Sequence, residues 1–204
     1  MALIRWIADV LFRIENPFGR TPITTPRTAG QRPLFHGHQN GSEPSTHTDL
    51  DDRGPVYPFG HGLTDTTFEY RVLTVDRAEV AADGSVDVSV EEANTGVRFG
   101  EEASSSTRRS RADGISRPVR ELVGFDRVSL DVGGVARVTF TLRADILAYG
   151  DVDMNMVMTP GDVELRAGPS STALPLSTVL TFTGEPATLG ARTAHLTPST
   201  VVSF

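Results

Sequence analysis

Val86-Asp87-Val88-Ser89-Val90-Glu91 and Val138-Thr139-Phe140-Thr141-Leu142 are the stretches that decide the fold of this chain of 204 residues. In both, every second residue is apolar and the residues between are polar, the period of a strand with one face buried. The same period recurs at Phe68, Tyr70 and Val72, at Val163, Leu165 and Ala167, and at Leu174, Leu176, Leu180 and Phe182. Turn-forming residues separate the runs at Asp83-Gly84, Asn94-Thr95-Gly96, Gly133-Gly134 and Pro160-Gly161. Short alternating strands with such punctuation predict an all-β antiparallel sandwich over residues 67–183.

The spacing of the strands suits a sandwich of the immunoglobulin or fibronectin III type. Residues 1–66 are organised differently. Leu3, Ile4, Ile7, Val10 and Leu11 follow helical spacing, and a helix that short is marginal alone. A long run rich in Pro, Gly, His and Asp follows, with little periodicity. Such a run is uncommon inside a compact domain, so residues 1–66 read as the end of a larger domain plus a linker. Residues 184–204 read as a polar, extended tail.

Composition narrows the function. The net charge is −7, which argues against a nucleic-acid partner, since phosphate neutralisation needs clustered cations. All 19 basic residues are arginine, a compositional bias without functional meaning of its own. With no cysteine, disulfides, a thiol nucleophile and Cys-ligated zinc are excluded. No stretch approaches the ~20 apolar residues of a membrane span, so no membrane partner is expected. The opening residues lack the pattern of a secretion signal, which leaves the cytoplasm as the default expectation.

Several strings resemble family 3 glycoside hydrolases of the β-glucosidase type. Ala8-Asp9-Val10-Leu11-Phe12, Asn16-Pro17-Phe18-Gly19-Arg20, Pro22 and Pro26-Arg27 are similar to the end of that family's α/β sandwich domain. Tyr57-Pro58-Phe59-Gly60-His61-Gly62-Leu63 with Thr66-Thr67-Phe68 resembles the linker into its fibronectin III-like domain. Asn94-Thr95-Gly96, Gly100-Glu101-Glu102, Ser116-Arg117-Pro118-Val119-Arg120-Glu121-Leu122, Gly124-Phe125 and Pro160-Gly161 then match in order. The resemblance implies three parts: 1–66, a remnant of the α/β sandwich domain and linker; 67–183, the fibronectin III-like domain; and 184–204, a C-terminal tail.

A retaining glycosidase needs two carboxyl groups roughly 5–5.5 Å apart. By resemblance, both belong to regions that precede Met1. The expectation is therefore a truncated hydrolase, inactive alone, with no catalytic, cofactor-binding or metal-binding residue in this chain. Its expected partners are the missing catalytic domains and, through them, carbohydrate. The alternative is a stand-alone fibronectin III-like binding or structural module. A sugar-binding module should expose aromatics on one face, whereas Trp6, the three Tyr and the ten Phe read mostly as core positions.

Other clusters are weaker. His36 and His38 with His47, Asp49, Asp51 and Asp52 could ligate a divalent cation, but their spacing fits neither an EF-hand loop nor a zinc signature. His38 resembles a histidine of a family loop near the substrate pocket, although Ser42-Glu43-Pro44 stands where an arginine is expected. Gly60-His61-Gly62 lacks the third glycine and the helix of a dinucleotide loop. Asn40-Gly41-Ser42 is a formal glycosylation sequon, without weight absent a secretion signal. Arg108, Arg109 and Arg111 read as a solvated loop.

One stretch departs from the pattern. Where the family has an apolar strand, Ala103–Asp113 reads Ala-Ser-Ser-Ser-Thr-Arg-Arg-Ser-Arg-Ala-Asp, with no inward apolar residues beyond its alanines. Losing three or four buried side chains at about 1.5–3 kcal/mol each would consume much of a domain stability of ~5–15 kcal/mol. With suitably chosen codons, a shifted frame across residues 103–112 spells Val-Gln-Leu-Tyr-Ala-Ala-Glu-Ser-Gly, which restores the alternation. The expectation is a local frame error, or else a real loop.

Overall fold

Valine-rich alternation builds the middle of the molecule. In the computed structural model, which describes residues 2–31, 34–39, 54–110, 117–190 and 197–204, with side chains at these positions save 2, 3 and 104–110, twelve strands are seen. They are β1 (Phe68–Val75), β2 (Glu79–Ala81), β3 (Ser85–Asn94), β4 (Gly100–Ser110), β5 (Glu121–Leu130), β6 (Val135–Arg143), β7 (Tyr149–Gly150), β8 (Met156–Met158), β9 (Gly161–Gly168), β10 (Leu176–Thr183), β11 (Ala187–Thr188) and β12 (Ser199–Ser203). Two short α-helices accompany them, α1 (Ala2–Leu11) and α2 (Ala144–Leu147), with a single 3-10 turn at Ala29–Gln31.

The strands form one sheet in the order β1-β3-β6-β12, a second in the order β2-β10-β9-β4-β5, and a small sheet β11-β8-β7. All pairings are antiparallel except β2 with β10. This is the all-β, fibronectin III-like sandwich that the alternation predicts. Val86, Val88 and Val90 from β3 and Val138, Phe140 and Leu142 from β6 are buried. Across the gap they meet Val163, Leu165 and Ala167 from β9 and Leu180 and Phe182 from β10 in one cluster. Each such side chain contributes about 1.5–3 kcal/mol by leaving water.

Four expectations need correction. First, Ala103–Ser110 is strand and not loop. Its backbone pairs with β5 on one side and β9 on the other, and strand preference yields to context when both neighbours supply the ladder. Arg108 and Arg109 therefore stand on a strand, while Arg111 lies outside the described residues. Second, Val72 faces out. A bulge between Tyr70 and Val72 shifts the register, so Leu73 and Val75 are the side chains that pack inward.

Third, where Arg117-Pro118 breaks a strand, the apolar Leu122 and Phe125 are the residues expected to re-enter the core after it, and they do not. The register shift at Ser106/Thr107 leaves Val123 and Gly124 buried and Phe125 half exposed. Fourth, the aromatics are not mostly core. Phe140 and Phe182 are buried, but Trp6, Phe12, Phe35, Tyr57, Phe99, Phe125 and Phe204 are exposed. Valine and leucine fill the space between the sheets instead. These exposed rings are spread over α1, the segment after it, the β3–β4 connection, β5 and the C-terminal residue, so no single strand face displays them as a platform.

Residues 199–203 extend the first sheet by pairing with β6. That pairing covers an edge that would otherwise present unpaired backbone groups.

Candidate functional site

The segment between α1 and β1 is sewn to the end of the sandwich, and the stitches begin at Pro58. Proline pre-sets the turn and the His61 amide closes it on the Pro58 carbonyl at 3.0 Å. Gly60 has φ +80, and a Cβ there would lie 3.1 Å from the Ser170 backbone. A Cβ on Gly62 would lie 2.5 Å from the Gly19 carbonyl. Two lengths of chain, 16–25 and 57–66, therefore run side by side. The Thr21 amide donates to the His61 carbonyl at 2.8 Å, and the Gly60 amide to the Thr21 carbonyl at 2.8 Å.

Both lengths reach the sandwich through side chains. Asn16 donates from Nδ2 to the Phe99 carbonyl at 3.0 Å and accepts at Oδ1 from the Asp65 amide at 2.7 Å. Asn94, buried at the end of β3, accepts from Thr66 Oγ1 at 2.8 Å and donates to the Arg98 and Leu130 carbonyls. The Arg20 guanidinium reaches both oxygens of Glu102 on β4. Tyr70 Oη donates to the same carboxylate at 3.1 Å.

Glu102 is 2% exposed and Glu92, on β3, 0%. Burial raises the Glu102 carboxyl above its ordinary value, against the opposing pull of Arg20 and Tyr70. Burial also raises Tyr70 well above the usual phenol range, assisted by the charges of Glu92 and Glu102. Two carboxylates near one another invite comparison with a glycosidase pair. These two are sealed inside the sandwich, where no sugar ring enters, so their chemistry is structural.

A cleft beside the seam holds His36 and His38 with Thr24, Pro58 and Arg120. The His36 ring stacks on Phe59 with centroids 4.0 Å apart. Burial lowers its basicity, against the charge of Glu121. His38 Nδ1 lies 3.1 Å from the Phe35 carbonyl. The structure thus brings His36 and His38 together as the sequence spacing suggests. His47, Asp49, Asp51, Asp52, Asn40-Gly41-Ser42 and Ser42-Glu43-Pro44 lie outside the described residues. Among the described residues, no group of three His, Asp or Glu gathers around one point, and no helix is long and apolar enough to cross a membrane. A second, apolar cavity of about 190 Å³ is lined by Pro22, Phe59, Leu122, Phe125 and Pro169.

Sequence reasoning missed the Arg20–Glu102–Tyr70 cluster. A signal was present: the inward alternation Val86, Val88, Val90 continues to Glu92 and Asn94, and polar residues at inward positions mark a buried polar network.

The fibronectin type III-like domain family matches residues 108–171. A periplasmic β-glucosidase of Salmonella typhimurium is 35% identical over 174 residues, covering 81% of this chain and 23% of the relative. A β-xylosidase of Formosa agariphila is 35% identical over 180 residues, covering 85% of this chain and 24% of the relative. Among solved structures, a β-glucosidase from Erythrobacter marinus matches with a TM-score of 0.82 and 34% identity, over 87% of this chain and 23% of that one. The chain spans about a quarter of the length of the curated relatives it matches.

Proposed function

The chain belongs to the family 3 glycoside hydrolases, matching the C-terminal part of β-glucosidase-type enzymes with their fibronectin type III-like domain, and from that premise we propose that it is the non-catalytic bracing module of such a hydrolase. In this reading residues 1–66 are the end of the α/β sandwich domain and its linker, 67–183 the accessory domain, and 184–204 a tail that returns to it. The hydrolysis of β-linked glucose or xylose, and the carbohydrate partner, belong to the larger enzyme. The nucleophile and the acid/base carboxyl come from the part of the relatives that these residues do not span.

The observation that carries this reading is α1. Its apolar residues are turned outward: Ile4 is 75% exposed, Leu11 74%, Trp6 and Ile7 more than half, and Phe12 just past its end 79%. Of the two charged residues of the same helix, Arg5 stands in solvent while Asp9 is only 24% exposed along its side chain. A helix with this pattern holds its place by burying its apolar side against another body, and the preceding part of a hydrolase supplies one.

The test is direct. The purified chain is expected to release no aryl group from aryl β-glucosides or β-xylosides above a buffer control. Turnover by the chain alone, abolished by substituting a single Asp or Glu within it, would overturn the proposal.

A further inference from the structure

Between the two sheets lies the carboxylate of Glu102, and among the described residues the cation that meets it is Arg20, which stands outside the strands. Glu102 stands on β4 opposite Val128, itself buried, so its side chain points into the core register. Its contacts are Tyr70 Oη at 3.1 Å, the Ala103 amide at 3.1 Å, and the guanidinium of Arg20. Tyr70 in turn faces Glu92 on β3. The first two contacts are neutral donors. The cation comes from residue 20, outside the strands, and is 19% exposed where Glu102 is 2%.

An ionised carboxylate out of water is costly unless a charge and hydrogen bonds meet it, and removing one partner of a buried pair is far more damaging than removing both. We propose that Arg20 is a structural plug that the fibronectin III-like sandwich requires, so that residues 67–204 fold stably only with the segment bearing Arg20 docked against them. The partner this surface fits is a guanidinium carried on a Pro-flanked segment outside the sheets. In this chain that is Asn16–Pro22, held from behind by Gly62, whose missing Cβ would sit 2.7 Å from the Arg20 Cδ.

The boundary near residue 66 is then a boundary of sequence pattern and not of stability. A sandwich of this design is coupled to whatever body precedes it, because the residue that completes its core lies on that body's side. This holds whether or not the chain serves a hydrolase, since it depends only on burial and charge within these 204 residues.

The experiment is a double-mutant cycle on the full chain, read by urea unfolding through the near-ultraviolet signal of the sandwich. Arg20→Met is expected to lower the midpoint by about 1–2 M at pH 7. Glu102→Gln added to Arg20→Met is expected to recover most of that loss. The glutamine oxygen still accepts from Tyr70 and Ala103, and the stranded charge is gone.

Two further readouts separate this from a mere latch. As the pH falls from 7 to 5 the midpoint of Arg20→Met should rise more steeply than that of the unsubstituted chain, because protonating Glu102 removes a charge that no guanidinium then meets, and the double variant should lose that dependence. If Arg20→Met speeds amide exchange only at Thr21 and Gly60 and leaves the midpoint unchanged, Arg20 is a surface fastener and the proposal fails. It fails equally if the double variant is no more stable than Arg20→Met.

Discussion

Helix α1 and strand β3 are both ten-residue amphipathic elements, yet one hides its apolar side and the other shows it. In β3, Val86, Val88 and Val90 are at most 1% exposed. In α1, Ile4, Trp6, Ile7 and Leu11 are all more than half exposed. The difference does not lie in local pattern, since each has the period its structure demands. It lies in what is packed on the apolar side. β3 has β6 and β1 beside it and β9 and β10 across the gap, whereas α1 has no strand ladder and no facing sheet. An amphipathic pattern therefore reports that a partner is needed, and only the surrounding structure reports whether the partner is present.

The largest expected effect comes from truncating one side chain in each region. Phe140→Ala should cost about 3–5 kcal/mol, because the ring is fully buried and Gly124 rests against it. Trp6→Ala should change the urea-derived stability by less than about 0.5 kcal/mol. If the two losses are of similar size, α1 has found packing in the free chain and the contrast is wrong.

A smaller but informative gain is expected on β4. Ser104 pairs with Asp126 and Ser106 with Gly124, in the register that places Glu102 opposite Val128. The shifted frame across residues 103–112 spells Val-Gln-Leu-Tyr, whose first and third residues suit those two positions. Ser104→Val with Ser106→Leu should raise stability by about 2–4 kcal/mol through added burial, with a matching rise in urea midpoint. An unchanged or lower midpoint would mean that the strand has no room for apolar side chains there. Resequencing the gene, with translation in all three frames, checks the frame error itself.

The smallest effects are in pH, and the two seam groups pull in opposite directions. The Glu102 carboxyl is raised from 4.5 by burial. Its contribution to stability is complete below the unfolded value and is lost as the pH rises through the folded one. The His36 imidazole is lowered from 6.5 by burial. Its contribution is present above 6.5 and is lost as the pH falls through the folded value. Urea midpoints measured from pH 4 to 8 should therefore lose their acid-side decline in His36→Gln and their decline above the carboxylate range in Glu102→Gln. If neither variant changes its own flank of the profile, the burial of these groups does not govern the pH response.

Much of the architecture was legible in the residues alone. Alternation at 86–90, 138–142 and 163–167 determined three strands, their inward faces and the sandwich class, because period two admits one buried face and no other regular structure. Pro58 with the glycines at 60 and 62 is turn chemistry in the sequence itself, and the structure places a turn there. The match to family 3 hydrolases likewise rests on strings of residues that need no coordinates.

What the sequence could not determine was register and company. The bulge at Tyr70/Val72 reverses the face of Val72, and the shift at Ser106/Thr107 sends Leu122 and Phe125 outward, because one unpaired residue inverts every side chain beyond it. Ala103–Ser110 became strand because β5 and β9 offered hydrogen bonds on both sides, a term that no local composition contains. Arg20 and Glu102 are 82 residues apart. Only the tertiary structure could bring that charge to that carboxylate, since an ion pair is specified by distance in space, and sequence separation carries no record of it.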